Sequence, residues 1–266
     1  MFTEAKRILK LFARYFKINL ASQMEYRVSF LVQVFGMILN NASFIFFWWI
    51  AFDITGNDIA GYSMKDVMFI WAVVSSAFGL CFILFYNVNK INHLIITGEL
   101  DTYLLQPIPV LANVLGAGTQ VSAWGDFFYG WTILFIFWGF HLKAIGIFIL
   151  ATVLGAVLMT GILITVNTLT FYLGRADMVA NSVFEFMINF SIYPKGIFKG
   201  VVRLIIYSLV PAAFISHIPL ELVHSFSLTK LLVWIAFSVG YFTLACVFFN
   251  RGLRKYESGN LIITRM

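Results

Sequence analysis

The sequence predicts an all-α polytopic membrane protein with six transmembrane helices. Three observations predict it: a composition too apolar for water, long apolar runs with polar punctuation, and an uneven distribution of basic residues. Of 266 residues, 61% are hydrophobic and only 11% charged, with a mean hydropathy of +0.90. A soluble domain carries about 25% charged residues, so this supply cannot build a water-facing surface. The bilayer has to serve as solvent. The net charge of +6 does not indicate nucleic acid, because Lys and Arg gather near segment ends, where they orient helices. Cys81 and Cys246 lie in separate apolar runs and read as small core hydrophobes rather than a disulfide or metal pair.

The first element is residues 1–27. Lys6, Arg7, Lys10, Arg14, Lys17 and Arg27 are spread through it, with no apolar signal core and no small-residue cleavage site. On a helix, Arg7, Lys10, Arg14 and Lys17 share one cationic face, and Ile8, Leu11, Phe12, Tyr15 and Phe16 share the other. Such a helix lies in the membrane interface as an elbow, with its apolar side in the acyl chains.

Spanning helices need roughly 20 apolar residues. Residues 28–52 supply the first span and end in an aromatic cluster (Phe44, Phe46, Phe47, Trp48, Trp49, Phe52) suited to an outer interface belt. A polar loop, 53–66, leads to the second span, 67–88. The polar segment 98–109 follows, in which Gly98, Glu99, Asp101, Pro107 and Pro109 interrupt the apolar pattern and Leu100, Leu104 and Leu105 remain apolar. A Gly break, two carboxylates and two prolines make a compact acidic element at the membrane edge, suited to docking a water-soluble partner. The third span ends near Phe140 and starts between Val110 and Val121. A tight turn at His141-Leu142-Lys143 opens the fourth, 144–173, and Gly174-Arg175-Ala176-Asp177 breaks the chain again.

Residues 178–193 are apolar but short for a crossing, and Pro194 stops them. Another short run, 201–218, contains Pro211 and ends at Pro219. Six spans result if 194–227 enters the outer leaflet and returns as a re-entrant hairpin, which membranes tolerate where protein or water surrounds the broken backbone. The last span, 230–250, precedes a tail, 251–266, rich in Lys and Arg. With both termini inside, twelve basic residues lie on the cytoplasmic side and six outside, as the positive-inside rule requires.

Polar residues within apolar runs are costly and mark candidate sites. Asn181, Glu185 and Asn189 recur every four residues and form one stripe, a lining for a translocation route or a subunit interface. Lys195, Lys199 and Arg203 share the same spacing and read as an electropositive strip at the outer mouth. Asp126 falls near the cytoplasmic boundary if the third span starts at Val121, where water would solvate it. His93, His141, His217 and His224 sit on separate segment ends, an arrangement for interfacial side chains and not for a metal site.

The layout of elbow, two spans, Gly98-Glu99-Leu100-Asp101 with Leu104-Leu105 and Pro107, and a broken fifth hairpin before a sixth span resembles ABC exporter permeases of the type 2 class. The nearest subgroup accompanies separate ATPases in drug or antibiotic export. The resemblance implies a single permease domain, 1–266, in the plasma or inner membrane, with 98–109 as a cytoplasmic coupling helix. It also implies an ABC ATP-binding subunit as partner, a second permease subunit (the same or different), and contact with membrane lipid. The substrate would be lipidic, amphipathic or drug-like. The chain has no Gly-x-x-x-x-Gly-Lys-Ser/Thr phosphate loop, so ATP and Mg are expected on the partner, with no cofactor, metal or catalytic residue here. An ATP-independent channel or secondary transporter and a non-catalytic membrane scaffold are the competing classes.

Overall fold

The computed structural model describes residues 2–56, 58–208 and 211–257, with the backbone alone at 2–5, 203 and 205–207. Position 258 onward, most of the predicted tail, lies outside the described residues. Among those described there is no strand; Ile59 and Tyr62 merely pair across one loop. The helices are α1 Phe2–Glu25, α2 Arg27–Thr55, α3 Met64–Phe85, α4 Ile91–Thr97, α5 Asp101–Leu104, α6 Val110–Gly116 and α7 Ala123–Trp138. They continue as α8 Leu142–Thr168, α9 Thr170–Leu173, α10 Asp177–Ile192, α11 Gly200–Tyr207, α12 His217–His224 and α13 Leu228–Leu253.

Among the described residues four helical stretches are long and apolar enough to cross a membrane: Arg27–Thr55, Met64–Thr97, Leu142–Leu173 and Leu228–Leu253. The helices α7 and α10 have 16 residues each, about 24 Å at 1.5 Å per residue. They nevertheless run beside the longer helices. Gln120 N–H donates to Phe82 O at one end of the α3–α7 pair, and Trp138 Nε1 donates to Lys65 O at the other. Asp177, opening α10, accepts from Asn92 at 2.5 Å, while Tyr193, just past its end, packs against Trp48 of α2. Thus α2, α7 and α10 lead away from the end that carries α1, and α3, α8 and α13 return towards it.

The centre of the bundle is α3, buried along nearly its whole length, with α8 parallel to it and α7 antiparallel. Without a hydrophobic force between helices in lipid, close approach depends on small residues. A Cβ added to Gly130 would fall 2.1 Å from Ser76 Oγ and 2.4 Å from Ala72 O; one added to Gly79 would fall 2.5 Å from Phe127 N. Ser75 and Ser76 exploit this proximity by donating to Asp126 O at 2.8 Å and Phe127 O at 3.0 Å. Cys81 is buried against Thr160 of α8 at 3.2 Å, and Cys246 is half-buried on α13.

Between α10 and α13 the backbone breaks repeatedly, with 3-10 turns at Lys195–Ile197 and Ala212–Phe214 flanking α11. Side chains satisfy the carbonyls that the breaks release. Ser216 donates to Ser191 O at 2.5 Å, Trp234 Nε1 to Phe214 O at 2.7 Å, and the His217 ring pairs with Phe190 O at 3.2 Å. This substitution makes irregular backbone affordable at depth. The third-span ambiguity resolves into two pieces: α6 starts at Val110, residues 117–122 are irregular, and α7 starts at Ala123.

Two sequence expectations change in detail. The aromatic cluster of α2 divides: Trp48 and Phe52 are buried, while Phe46, Phe47 and Trp49 face outward. The apolar face of α1 is not left entirely for acyl chains, because Phe12 packs on Phe85 and Phe16 on Trp124. Gly130→Val should destabilise the α3–α7 pair by about 1–3 kcal/mol or more, since backbone atoms cannot yield. A lower melting temperature of the purified protein in detergent is the expected reading, and an unchanged one would mean the helices can part without cost.

Candidate functional site

At the α1 end, α4 stops at Gly98, whose φ of +79° is a left-handed conformation that glycine adopts freely. The chain folds back, and Leu100 N–H donates to Leu94 O at 3.1 Å. Leu100 is fully buried and anchors the segment to the core, whereas Leu104 is 44% and Leu105 87% exposed. The predicted seating by three leucines therefore divides, one inward and two outward. Glu99, Pro107 and Pro109 are exposed and Asp101 is half-buried, and Glu99 lies 3.7 Å from His93.

This segment is tied to α1. Arg7 donates to Pro107 O at 3.1 Å. Tyr15 donates to Asn113, whose amide donates to Gln106 at 2.8 Å, and Asn19 donates to Gly116 O at 3.1 Å. The cleft between them, about 420 Å³, is lined by Arg7, Lys10, Arg14 and Pro107-Ile108-Pro109. Elbow and acidic segment thus form one surface.

The stripe Asn181, Glu185 and Asn189 lies on the face of α10 that points away from the bundle, and all three are exposed. Within one chain it is not interior. Asn189, however, reaches the rim of a cavity of about 250 Å³ between α2, α3, α7 and α10, and Asp126 lines the same cavity. The solvated reading of Asp126 is corrected: it is 4% exposed. It pairs with Asn41, midway along α2, and its own carbonyl receives Ser75, midway along α3. The irregular 117–122 stretch carries the chain inward before α7 begins, which puts the first turn of α7 at mid-bundle. Sequence reasoning missed Asn41 and this convergence. The signal was present as isolated polar residues, Asn41 and Ser75-Ser76, in the centres of the first two apolar runs.

The four-residue spacing of Lys195, Lys199 and Arg203 does not lie on one helix. Lys195 is in a 3-10 turn, Phe198 is extended, and Arg203 is in α11, its side chain outside the described set. Lys195 pairs with Glu221, which also binds Lys230 at 2.9 Å. Beside this cluster His224 meets Asp66 at 2.6 Å and Lys143 donates to Val223 O at 2.6 Å. Lys195 and Lys199 line a cleft of about 470 Å³ with Ala60, Tyr62 and Gly196. His141, in turn, caps α8 by accepting from Ala144 N.

A bundle of long apolar helices, broken at one end by an exposed acidic segment and holding polar groups at its middle, defines a multi-pass membrane protein of the transporter type. Residues 38–259 match the family model described as ABC-2 family transporter protein, and the chain belongs to that family. It is an ABC transporter permease. Members of this family are membrane subunits that are not themselves ATPases and normally work with an ATP-binding subunit. Comparisons with curated proteins and with solved structures found no match.

The Glu221 cluster carries a pH signature. Burial raises the Glu221 carboxyl pKa, but the hydrogen bonds and charges of Lys195 and Lys230 more than offset this and hold it below its usual range. A carboxylate with a depressed native pKa contributes stability above its unfolded value and loses it as pH falls through the native one. Amide exchange in 194–227 should therefore rise as pH falls through that range. Glu221→Gln should exchange faster already at neutral pH and show a flatter profile; a mutant with the wild-type pH profile would assign the effect elsewhere.

Proposed function

We propose that this chain is the membrane-spanning permease of an exporter for a lipidic, amphipathic or drug-like substrate. In this reading it crosses the membrane six times with both termini cytoplasmic, and a separate subunit hydrolyses ATP with Mg. The observation that carries it is the Gly98–Pro109 segment: buried at Leu100, displaying Glu99, Leu104 and Leu105, and tied to α1 through Arg7 and Tyr15. An anchored element with an exposed acidic and apolar tip suits a coupling helix in a groove of the ATPase. A push on that tip would reach the core through Leu100 and the elbow through Pro107 and Gln106.

The short helices α7 and α10 complete the crossings by lying level with their longer neighbours. The cationic face of α1 would lie along the inner membrane surface, and 194–227 would form the outer-leaflet hairpin. An exposed carboxylate on α10 is costly against lipid. A second permease subunit or a watery route shared between subunits would cover Glu185, Asn181 and Asn189. At the outer mouth Lys199 and Arg203 would meet lipid phosphates, with Lys195 held by Glu221.

Two experiments test this reading. Single cysteines at Gly56 and Lys143 should label from outside, and at Gly98, Arg175 and Glu257 from inside; external labelling at 257 would sink the six-span arrangement. Reversing a charge at the tip with Glu99→Arg, or placing one on its apolar part with Leu105→Asp, should abolish most ATPase co-purification while leaving insertion intact. Loss of one desolvated interfacial charge costs about 2–5 kcal/mol, a large drop in pull-down. Wild-type recovery of the ATPase with both variants would reduce the segment to an ordinary loop.

A further inference from the structure

The geometry points to the Asp126 cavity as a binding site for the ammonium head of an amphipathic organic cation. This deepens the exporter reading by naming a substrate class, and depends on that reading only for what becomes of the bound cation.

The carboxylate is the first observation. Asp126 Oδ1 accepts from Asn41 Nδ2 at 2.6 Å, but Oδ2 is buried with no hydrogen-bond partner. Among the described residues no cation pairs with Asp126, and none of the side chains lining the cavity is basic. A buried carboxylate oxygen without a donor is costly, so the site is chemically incomplete. A positive charge with an N–H or a compact ammonium face would complete it.

The walls are the second observation. Phe44 and Trp71 pack on one another, tilted by 32° with ring centroids 4.3 Å apart, and both line the cavity together with Phe78. Aromatic faces attract cations, Trp most strongly, and more so where water is excluded. One carboxylate with aromatic walls is the arrangement that separates an organic cation from a neutral lipid. A metal ion would instead need several oxygen ligands, and the cavity offers one carboxylate, two amides and a serine.

Rigidity is the third. Tyr129 donates to Asn41 O at 2.9 Å, and Ser75 donates to Asp126 O at 2.8 Å, so the backbones presenting both polar groups are fixed. At about 250 Å³ the space is just under the roughly 300–1,000 Å³ of drug-sized sites. It takes a head group and one ring, and leaves a tail to pass out beside Asn189 towards the exposed stripe on α10. That exit gives Glu185, one turn away, a place on the same path.

The test uses purified permease in zwitterionic lipid nanodiscs, without ATPase or nucleotide. Radiolabelled phenylbutyltrimethylammonium should bind saturably. Its uncharged isostere, with carbon in place of nitrogen, should compete at least tenfold more weakly. Asp126→Asn keeps the shape and the Asn41 contact but removes the charge, and should weaken cation binding by about tenfold or more. Equal competition by the isostere, absence of saturable binding, or an unaffected Asp126→Asn would overturn the proposal. If Asp126→Asn does not fold, the comparison of cation and isostere on the wild type decides alone. Failure here leaves ATPase co-purification untouched, so the exporter reading stands or falls separately.

Discussion

The rest of the structure depends on the close contact between α3 and α7. Two glycines, Gly79 and Gly130, let the backbones approach to a distance at which Ser75 and Ser76 can donate across to Asp126 O and Phe127 O. In a bilayer the apolar surface of α3 could face lipid as comfortably as protein, so burial alone would not select this partner. Small residues and hydroxyl donors do. Once α3 is held by α7 on one side and α8 on the other, the flanking helices α2, α10 and α13 take the outer positions. The outward faces of α2 and α13 remain apolar, with Phe35, Leu39, Leu232 and Leu244 among the exposed residues, whereas that of α10 carries the polar stripe. The same contact fixes the height of α7, and with it the depth of Asp126.

Fold class was legible in the sequence because membranes impose a simple demand, about 20 apolar residues for each crossing. The first helix break also falls close to the expected 27/28 boundary: α1 ends at Glu25 and α2 begins at Arg27. Where the reading was ambiguous, the chain is irregular. The two limits given for the start of the third span, Val110 and Val121, fall near the starts of two separate helices, at Val110 and at Ala123, with 117–122 between them. Hydropathy averages over such breaks and cannot show the inward step they make.

The site was legible in fragments. Gly98 and the acid–leucine–proline pattern marked a break at the end of the bundle, but which leucine anchors it could not be read, since Leu100, Leu104 and Leu105 are chemically alike. Only the fold distinguishes them. Periodicity misled at Lys195, Lys199 and Arg203, where equal spacing implied a helix that Phe198 interrupts. It was accurate but incomplete on α10: Asn181, Glu185 and Asn189 do share a face, yet period alone does not say whether that face looks in or out. The Asn41–Asp126 pair joins residues 85 apart and lay beyond local patterns altogether.

Polar groups in this chain divide by what completes them. Those at the far end find their partners within the chain, Glu221 in two lysines and Asp66 in its own helix cap and His224. Those that hold the broken backbone are satisfied by carbonyls, as with Ser216, His217 and Trp234. Glu185 on the outward face of α10 and Asp126 with an unpartnered oxygen belong to neither group. In a membrane an ionisable group is costly and marks a candidate functional site. For Glu185 the position on an exposed helix face calls for another subunit or water, and for Asp126 the enclosed aromatic setting calls for a small cation. Asn189 stands between them, at the cavity rim and on the stripe, so the two requirements meet along one short path across α10. A transporter must let its cargo leave as well as enter, and an enclosed carboxylate whose cavity reaches a polar, exposed helix face has the asymmetry which that task needs.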